Sequence, residues 1–224
     1  MDITIHPVRR LRGTLRVPGD KSISHRGLLL GAMAKGRSRI EGAAPGQDVA
    51  STLASLRILG VDVEPAGEGR IEISGPGWEV SGGATLDAGN SATTMRLLAG
   101  ALAGRPGTYV LGGDGSLSRR PMDRVAIPLR RMGAGVSLLD DRYPPIRLRG
   151  GHLSAISYRL PVSSAQVKGA ILLAGLQAAG ATRISEPAPS RDHTERLLGW
   201  LGIAVSSTPG GVELAKAGDR LPLP

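Results

Sequence analysis

The sequence predicts an α+β fold assembled from three copies of one β-α-β-α-β-β unit, each roughly 70 residues long and carrying a mixed four-stranded sheet. Three observations predict it. Gly31-Ala32-Met33-Ala34, Gly100-Ala101-Leu102-Ala103 and Gly175-Leu176-Gln177-Ala178 each close an apolar helical stretch at near-equal spacing. Leu56-Arg57-Ile58-Leu59-Gly60, Leu129-Arg130-Arg131-Met132-Gly133 and Leu198-Gly199-Trp200-Leu201-Gly202 recur in step with them and end a second helix in each copy. Strand-like runs then follow in pairs: Val61–Val63 with Arg70–Ile73, Ala134–Val136 with Pro145–Leu148, and Ile203–Val205 with Gly211–Leu214. Units of this length bury a face of their own, so a pseudo-threefold globule over residues 14 to 216 is expected rather than an open array.

Each element has a local reason. A strand at Thr14–Val17 opens copy one, and the first helices are entered through Pro18-Gly19-Asp20-Lys21-Ser22, Asp87-Ala88-Gly89-Asn90-Ser91 and Pro161-Val162-Ser163-Ser164-Ala165. Gly36, Gly104 and Gly180 follow these helices as candidate C-terminal caps. Asp48 and Ser190 are candidate N-caps of second helices, and Pro121 suits an early position of the helix drawn over 121–132, where a missing N–H is tolerated. Pro128 falls inside that helix and predicts a kink or an early stop.

Composition narrows the function. The 224 residues are 41% hydrophobic with mean hydropathy −0.02, and no apolar run reaches membrane-spanning or signal-peptide length, so a soluble cytoplasmic protein is expected. The absence of cysteine excludes disulfides, thiolate metal sites and thiol nucleophiles. A net charge of +9 rests on 24 arginines and only four lysines, and arginine's planar fork matches phosphate and carboxylate. Aromatics are 2% and the arginines are scattered, which disfavours nucleic acid and leaves small polyanions as the expected partners; a solvated arginine-rich surface accounts for part of the charge.

The polar residues gather at the starts of the three first helices, where unpaired N–H groups and the positive dipole end favour anions. Capping alone explains the Ser, Thr and Asn there. Lys21 and Arg26 point further, because a cation beside a helix N-terminus is unfavourable unless an anion joins it. Arg120 is a phosphate or carboxylate candidate, with Arg119 and Arg124 solvated or ion-paired. Asp192 and His193 are read as an ion-paired helix start rather than a catalytic pair, since no serine elbow accompanies them. The four histidines show no ligand spacing and no phosphate-binding glycine loop appears, so neither metal nor cofactor is expected.

Pro18-Gly19-Asp20-Lys21-Ser22-Ile23-Ser24-His25-Arg26, Ala88 through Arg96, Leu117 through Met122, Ser163-Ser164-Ala165-Gln166-Val167-Lys168 and Ser190 through Glu195 resemble the 3-phosphoshikimate 1-carboxyvinyltransferase (EPSP synthase) family. The resemblance implies half of an α-β prism, the inside-out barrel of enolpyruvyl transferases. It implies transfer of the enolpyruvyl group of phosphoenolpyruvate to the 5-hydroxyl of shikimate 3-phosphate, with release of phosphate and no cofactor, on the route to chorismate and aromatic amino acids. Lys21, Ser22, Arg26, Ser164 and Gln166, with Ser163, Ala165, Ser185 and Arg191, would hold shikimate 3-phosphate. Lys21, Ala92, Arg120 and Gln166, with Asn90 and Thr93, would hold phosphoenolpyruvate.

Two departures accompany the resemblance. Many members carry Gly where this chain has Ala92, whose methyl should disfavour the longer inhibitor glyphosate. Members are about twice this long, and their second lobe brings the acid–base residues; this chain is therefore expected to be the amino-terminal lobe, dependent on a carboxy-terminal lobe for turnover. The family architecture assigns residues 1–17 to the other lobe, 18–216 to the three-copy lobe, and leaves 217–224 as the end. The related UDP-N-acetylglucosamine 1-carboxyvinyltransferases usually have Lys-Asn and a loop Cys where this chain has Lys21-Ser22 and no Cys.

Overall fold

A computed structural model describes residues 3–4, 6–80, 82–208 and 210–215. Copy one comprises α1 (Lys21–Met33), β1 (Lys35–Ile40), α2 (Gln47–Ile58), β2 (Asp62–Pro65) and β3 (Ile71–Pro76). Copy two runs β4 (Gly83–Asp87), α3 (Ala92–Leu102), β5 (Gly107–Gly112), a 3-10 turn (Leu117–Arg119), α4 (Asp123–Arg131), β6 (Gly135–Leu139) and β7 (Tyr143–Gly150). Copy three adds the short β8 (Leu153–Ser154), then β9 (Ser157–Arg159), α5 (Ala165–Gly175), the short β10 (Ala178–Ala179), β11 (Thr182–Ser185), α6 (His193–Trp200), β12 (Val205–Thr208) and β13 (Gly211–Leu214).

The second and third sheets have the expected four strands in matching orders, β4-β5-β7-β6 and β9-β11-β13-β12. In each, the strand before the first helix runs parallel to the strand after it, and the remaining pairs are antiparallel. The first sheet holds only β1-β3-β2. Thr14–Val17, expected as its fourth strand, is exposed and pairs with no strand among the described residues. Ile5, in the earliest expected strand, and the end from residue 216 lie outside the described residues.

The first helices α1, α3 and α5 are apolar all round beyond their first turns and pack at the centre, with Leu29, Met33, Leu97, Leu98, Ile171 and Leu172 fully or almost fully buried. The α3–α5 crossing is closed to backbone contact: a Cβ on Gly100 would lie 2.2 Å from the Ala170 carbonyl oxygen. None of the three expected glycines caps its helix, since the C-caps are Ala34, Ala103 and Leu176; left-handed glycines follow further on, Gly36 (φ 103°), Gly107 (φ 139°) and Gly180 (φ 103°), each at the same distance from the first residue of its helix. Gly107, not the expected Gly104, is the copy-two equivalent. Gly104 has no left-handed conformation and is small because the Gln177 side chain fills the space where its Cβ would stand.

Three further local expectations are revised. α2 is capped by Gly46, which leaves Asp48 in the first turn, and α6 follows Asp192, with Ser190 turned to Glu186 instead of a helix N–H. α4 begins at Asp123 and runs through Pro128 to Arg131 without the early stop. Proline in the second turn of a nine-residue helix removes one N–H, and its ring is buried in the core.

Candidate functional site

Each first helix opens with a side-chain cap. Asp20 accepts from the Ile23 N–H (2.8 Å), Ser91 from Thr94 (3.1 Å) and Ser164 from Val167 (3.4 Å). Capping therefore uses one polar residue per tip and leaves Lys21, Ser22, Asn90, Thr93 and Gln166 beside the remaining N–H groups, at the positive ends of three helices.

The tips of α1 and α3 are joined through the start of α2. Lys21 Nζ donates to Asp48 (2.6 Å), while the Thr94 hydroxyl bridges the Asp48 carbonyl oxygen (3.2 Å) and the Ser91 hydroxyl (2.8 Å). Below them Thr94 meets Thr52 (2.8 Å), and Thr52 shares a hydrogen bond with His25 Nδ1 (2.7 Å). Burial lowers the His25 pKa to about 4, with Lys21 and Arg26 adding to the effect against the opposing pull of Asp48 and Asp20. This histidine is a neutral part of the core beneath the tips.

Arg120 stands at the α3 tip. Its guanidinium donates to the Asn90 side-chain oxygen (2.6 Å), and the Asn90 amide donates to Asp114 (2.7 Å), a bond that holds the Asp114 carboxyl below its usual pKa. Ala92 and Thr93 form the first turn of α3 immediately beyond Asn90. Arg96 lies deeper and donates to the Pro121 carbonyl (3.0 Å). Its burial, and then Arg120 and Arg124 nearby, lower its pKa.

Arg26 is 2% exposed. It donates to the Thr194 hydroxyl (2.6 Å), the Ser22 carbonyl (2.9 Å) and the Ala165 carbonyl (3.1 Å), so it locks the tips of α1, α5 and α6 together from beneath. Burial, and then Arg191, lower its pKa against the pull of Glu195 and Asp20. Arg191 reaches the Ser22 hydroxyl (3.5 Å), and Ser163 donates to the Ala188 carbonyl (2.6 Å), which orders the loop that carries Arg191. Lys21, Ser22, Ala165, Gln166 and Arg191 thus share one neighbourhood, beside that of Asn90, Ala92, Thr93 and Arg120. Ser185 is exposed at the end of β11, where its carbonyl oxygen accepts from the Leu160 N–H (2.8 Å) on the segment that leads to the α5 tip.

A buried ion cluster supports this end of copy three and was not legible in advance. Lys168 pairs with Glu186 (2.7 Å) and Glu195 (2.8 Å), all three nearly inaccessible. Burial alone would lower the Lys168 pKa, but the two glutamate hydrogen bonds outweigh it and raise the value. Glu186 also accepts from the Ser190 hydroxyl (2.6 Å) and N–H (3.1 Å). The sequence signal was weak: a lysine at helical spacing from alanines, with glutamates 18 and 27 residues away in the chain.

Among the described residues, no group of three or more His, Cys, Asp or Glu side chains is placed to hold a metal, and no helix is long and apolar enough to cross a membrane.

Two βαβαββ copies and a third that lacks only the first strand, with cationic and amide groups at the tips of their first helices, define half of an α-β prism. The particular family follows from the comparisons. The EPSP synthase (3-phosphoshikimate 1-carboxyvinyltransferase) family model matches residues 5–218, and the chain belongs to that family. It is 52% identical over 205 residues to the 3-phosphoshikimate 1-carboxyvinyltransferase of Halorhodospira halophila, covering 90% of this chain and 46% of that protein. With the Brevibacillus brevis enzyme of the same name it shares 48% over 208 residues, 91% of this chain and 48% of that one. A solved structure of EPSP synthase from Acinetobacter baumannii superposes with a TM-score of 0.88 at 43% identity, over 92% of this chain and 47% of that one. The chain spans about half the length of the curated relatives it matches.

Proposed function

We propose that this chain is the amino-terminal half of a cytoplasmic enzyme that transfers the enolpyruvyl group of phosphoenolpyruvate to the 5-hydroxyl of shikimate 3-phosphate. The observation that carries the reading is the meeting of three helix N-termini with Lys21, Arg120 and Arg191, a constellation suited to two small polyanions.

In the proposed reaction the hydroxyl gives up its proton as its oxygen bonds to C2 of phosphoenolpyruvate, whose methylene carbon takes a proton, giving a tetrahedral intermediate. The C–O bond to phosphate then breaks, the new methyl group gives up a proton, and inorganic phosphate leaves as the double bond re-forms. Lys21 spans both substrates. Ser22, Ser163, Ser164, Ala165, Gln166 and Arg191 hold shikimate 3-phosphate, and Arg26 positions Ser22 and Ala165 from below through its bonds to their carbonyls. Asn90, Ala92, Thr93, Arg120 and Gln166 hold phosphoenolpyruvate, and fixed donors at the tips stabilise the anionic intermediate. The proton-transfer groups come from the carboxy-terminal lobe.

A phosphate-release assay tests the reading. The chain alone is expected to be silent, and addition of a carboxy-terminal lobe to restore turnover; turnover without that lobe overturns the need for it. Calorimetry with shikimate 3-phosphate and with UDP-N-acetylglucosamine tests substrate class, and binding of only the UDP-sugar overturns the assignment.

A further inference from the structure

Between the end of β11 and the start of α6 the chain runs Glu186-Pro187-Ala188-Pro189-Ser190-Arg191-Asp192. Pro187 and Pro189 have no N–H, so residues 187–190 offer only two backbone donors, and side chains take both. The Ala188 N–H donates to the Ser163 hydroxyl (3.1 Å), which donates in turn to the Ala188 carbonyl (2.6 Å). The Ser190 N–H and hydroxyl donate to the two oxygens of one carboxylate, that of Glu186 (3.1 and 2.6 Å). Side chains thus close a loop that has neither ladder nor helix of its own.

Lys168 anchors this closure. Its ammonium reaches Glu186 at the head of the loop (2.7 Å) and Glu195 in the first turn of α6 (2.8 Å), so one buried cation grips both ends of the segment. Burial alone would raise the Glu186 pKa, but the hydrogen bonds from Lys168 and Ser190 overcome it and lower the value. Glu186 is therefore ionised and acceptor-only, as the paired donors of Ser190 require. A buried ion cluster adds little net stability over apolar packing of the same volume, so the role of this one lies in what it holds.

What it holds is the base of Arg191. That residue follows Ser190 directly, is exposed, and reaches the Ser22 hydroxyl at the α1 tip only at 3.5 Å, the far limit of a hydrogen bond. Such a contact does not fix a guanidinium. Its place beside the tips is inherited from the backbone that Glu186 and Ser190 close.

We propose that Glu186, anchored by Lys168 and acting through Ser190, is a positioning residue that aims Arg191 at the anion bound beside the α1 and α5 tips. The proposal rests on the assignment of those tips to shikimate 3-phosphate.

Two variants test it without stranding a buried charge. Glu186→Gln leaves one carboxylate for the Lys168 ammonium, and Ser190→Ala leaves all three ionic groups in place. The first readout needs no ligand. In limited trypsin digestion followed by mass spectrometry, both variants are expected to be cut after Arg191 about fivefold faster than the unmodified chain, the effect of one lost hydrogen bond on a local opening. Cleavage after Arg183 on β11 should not change, and Ser190→Thr, which keeps the hydroxyl, should be cut at the unmodified rate. Equal rates after Arg191, or an equal rise at both sites, overturn the proposal.

The second readout is calorimetry with shikimate 3-phosphate. Each variant is expected to bind about tenfold more weakly, the loss of one charge-assisted hydrogen bond. Combined with Arg191→Ala, neither should add to the loss that Arg191→Ala causes alone, because a residue acting through Arg191 has no effect once Arg191 is gone. Additive losses overturn the positioning role, as does full affinity in the variants or in Arg191→Ala. Failure of the unmodified chain to bind shikimate 3-phosphate overturns the substrate assignment alone, and the cleavage rates then decide whether Glu186 positions Arg191.

Discussion

The Lys21 ammonium lies 2.6 Å from the Asp48 carboxylate, so the most forward cation of the α1 tip is held by an acid from the start of α2. The lysine is half exposed and the pair is worth at most about 1 kcal/mol to the fold. Lys21→Met is therefore expected to leave the melting temperature nearly unchanged while weakening shikimate 3-phosphate binding by at least about tenfold, the equivalent of 1.4 kcal/mol. Calorimetry and a thermal melt on the same samples check this; a large loss of stability with unchanged affinity makes Lys21 structural.

Arg120 takes its orientation from Asn90. Arg120→Lys keeps the charge and loses the fork, so the KM for phosphoenolpyruvate of the enzyme reconstituted with a carboxy-terminal lobe should rise by about tenfold. Asn90→Ala should produce a smaller rise, since it releases the guanidinium without removing it.

Ala92 places a methyl in the first turn of α3. In the reconstituted enzyme Ala92→Gly is expected to lower the glyphosate concentration needed for inhibition by several fold, with a smaller change in KM for phosphoenolpyruvate. Equal sensitivity of the two proteins removes the role assigned to this methyl.

Gly100 and Gly199 form a matched pair of helix glycines. Gly100→Ala drives a methyl into the Ala170 backbone and should destabilise by about 1–3 kcal/mol or more. Gly199 has nothing within 4 Å of its Cβ position, so Gly199→Ala should stabilise by up to about 1 kcal/mol through helix propensity. Denaturant midpoints separate the two.

His25 makes the fold acid-sensitive. Its folded pKa of about 4 lies below the ordinary 6.5, so the unfolded chain binds the proton first. Stability is fully present above about pH 6.5 and falls as the pH drops toward 4, by about 3 kcal/mol for this group. Denaturant titrations from pH 7 to pH 4 measure the slope, and His25→Leu should flatten it.

The repeat was legible because helix ends, glycines and strand alternation recur together along the chain. The tips were legible because a lysine at a helix N-terminus breaks a local electrostatic preference. The burial of Arg26 was not, since its partners Ala165 and Thr194 lie in copy three and a charged residue at a tip reads as solvent-facing. Gly36, Gly104 and Gly180 were mistaken for caps because spacing sets a glycine near a helix end without fixing its conformation: Gly36 and Gly180 are left-handed beyond the cap, and Gly104 is made small by a packed glutamine. The cluster of Lys168, Glu186 and Glu195 left no motif because its spacing comes only from the fold.

Arg26 has one consequence beyond the tips. By joining the first third of the lobe to the last, while Thr52–Thr94 joins the first to the second and Gly100–Ala170 the second to the third, it turns a linear series of copies into a circle without ends. No third can loosen without stripping contacts from both others, so the lobe should melt in one step, and deletion of any single copy should unmake the remaining two.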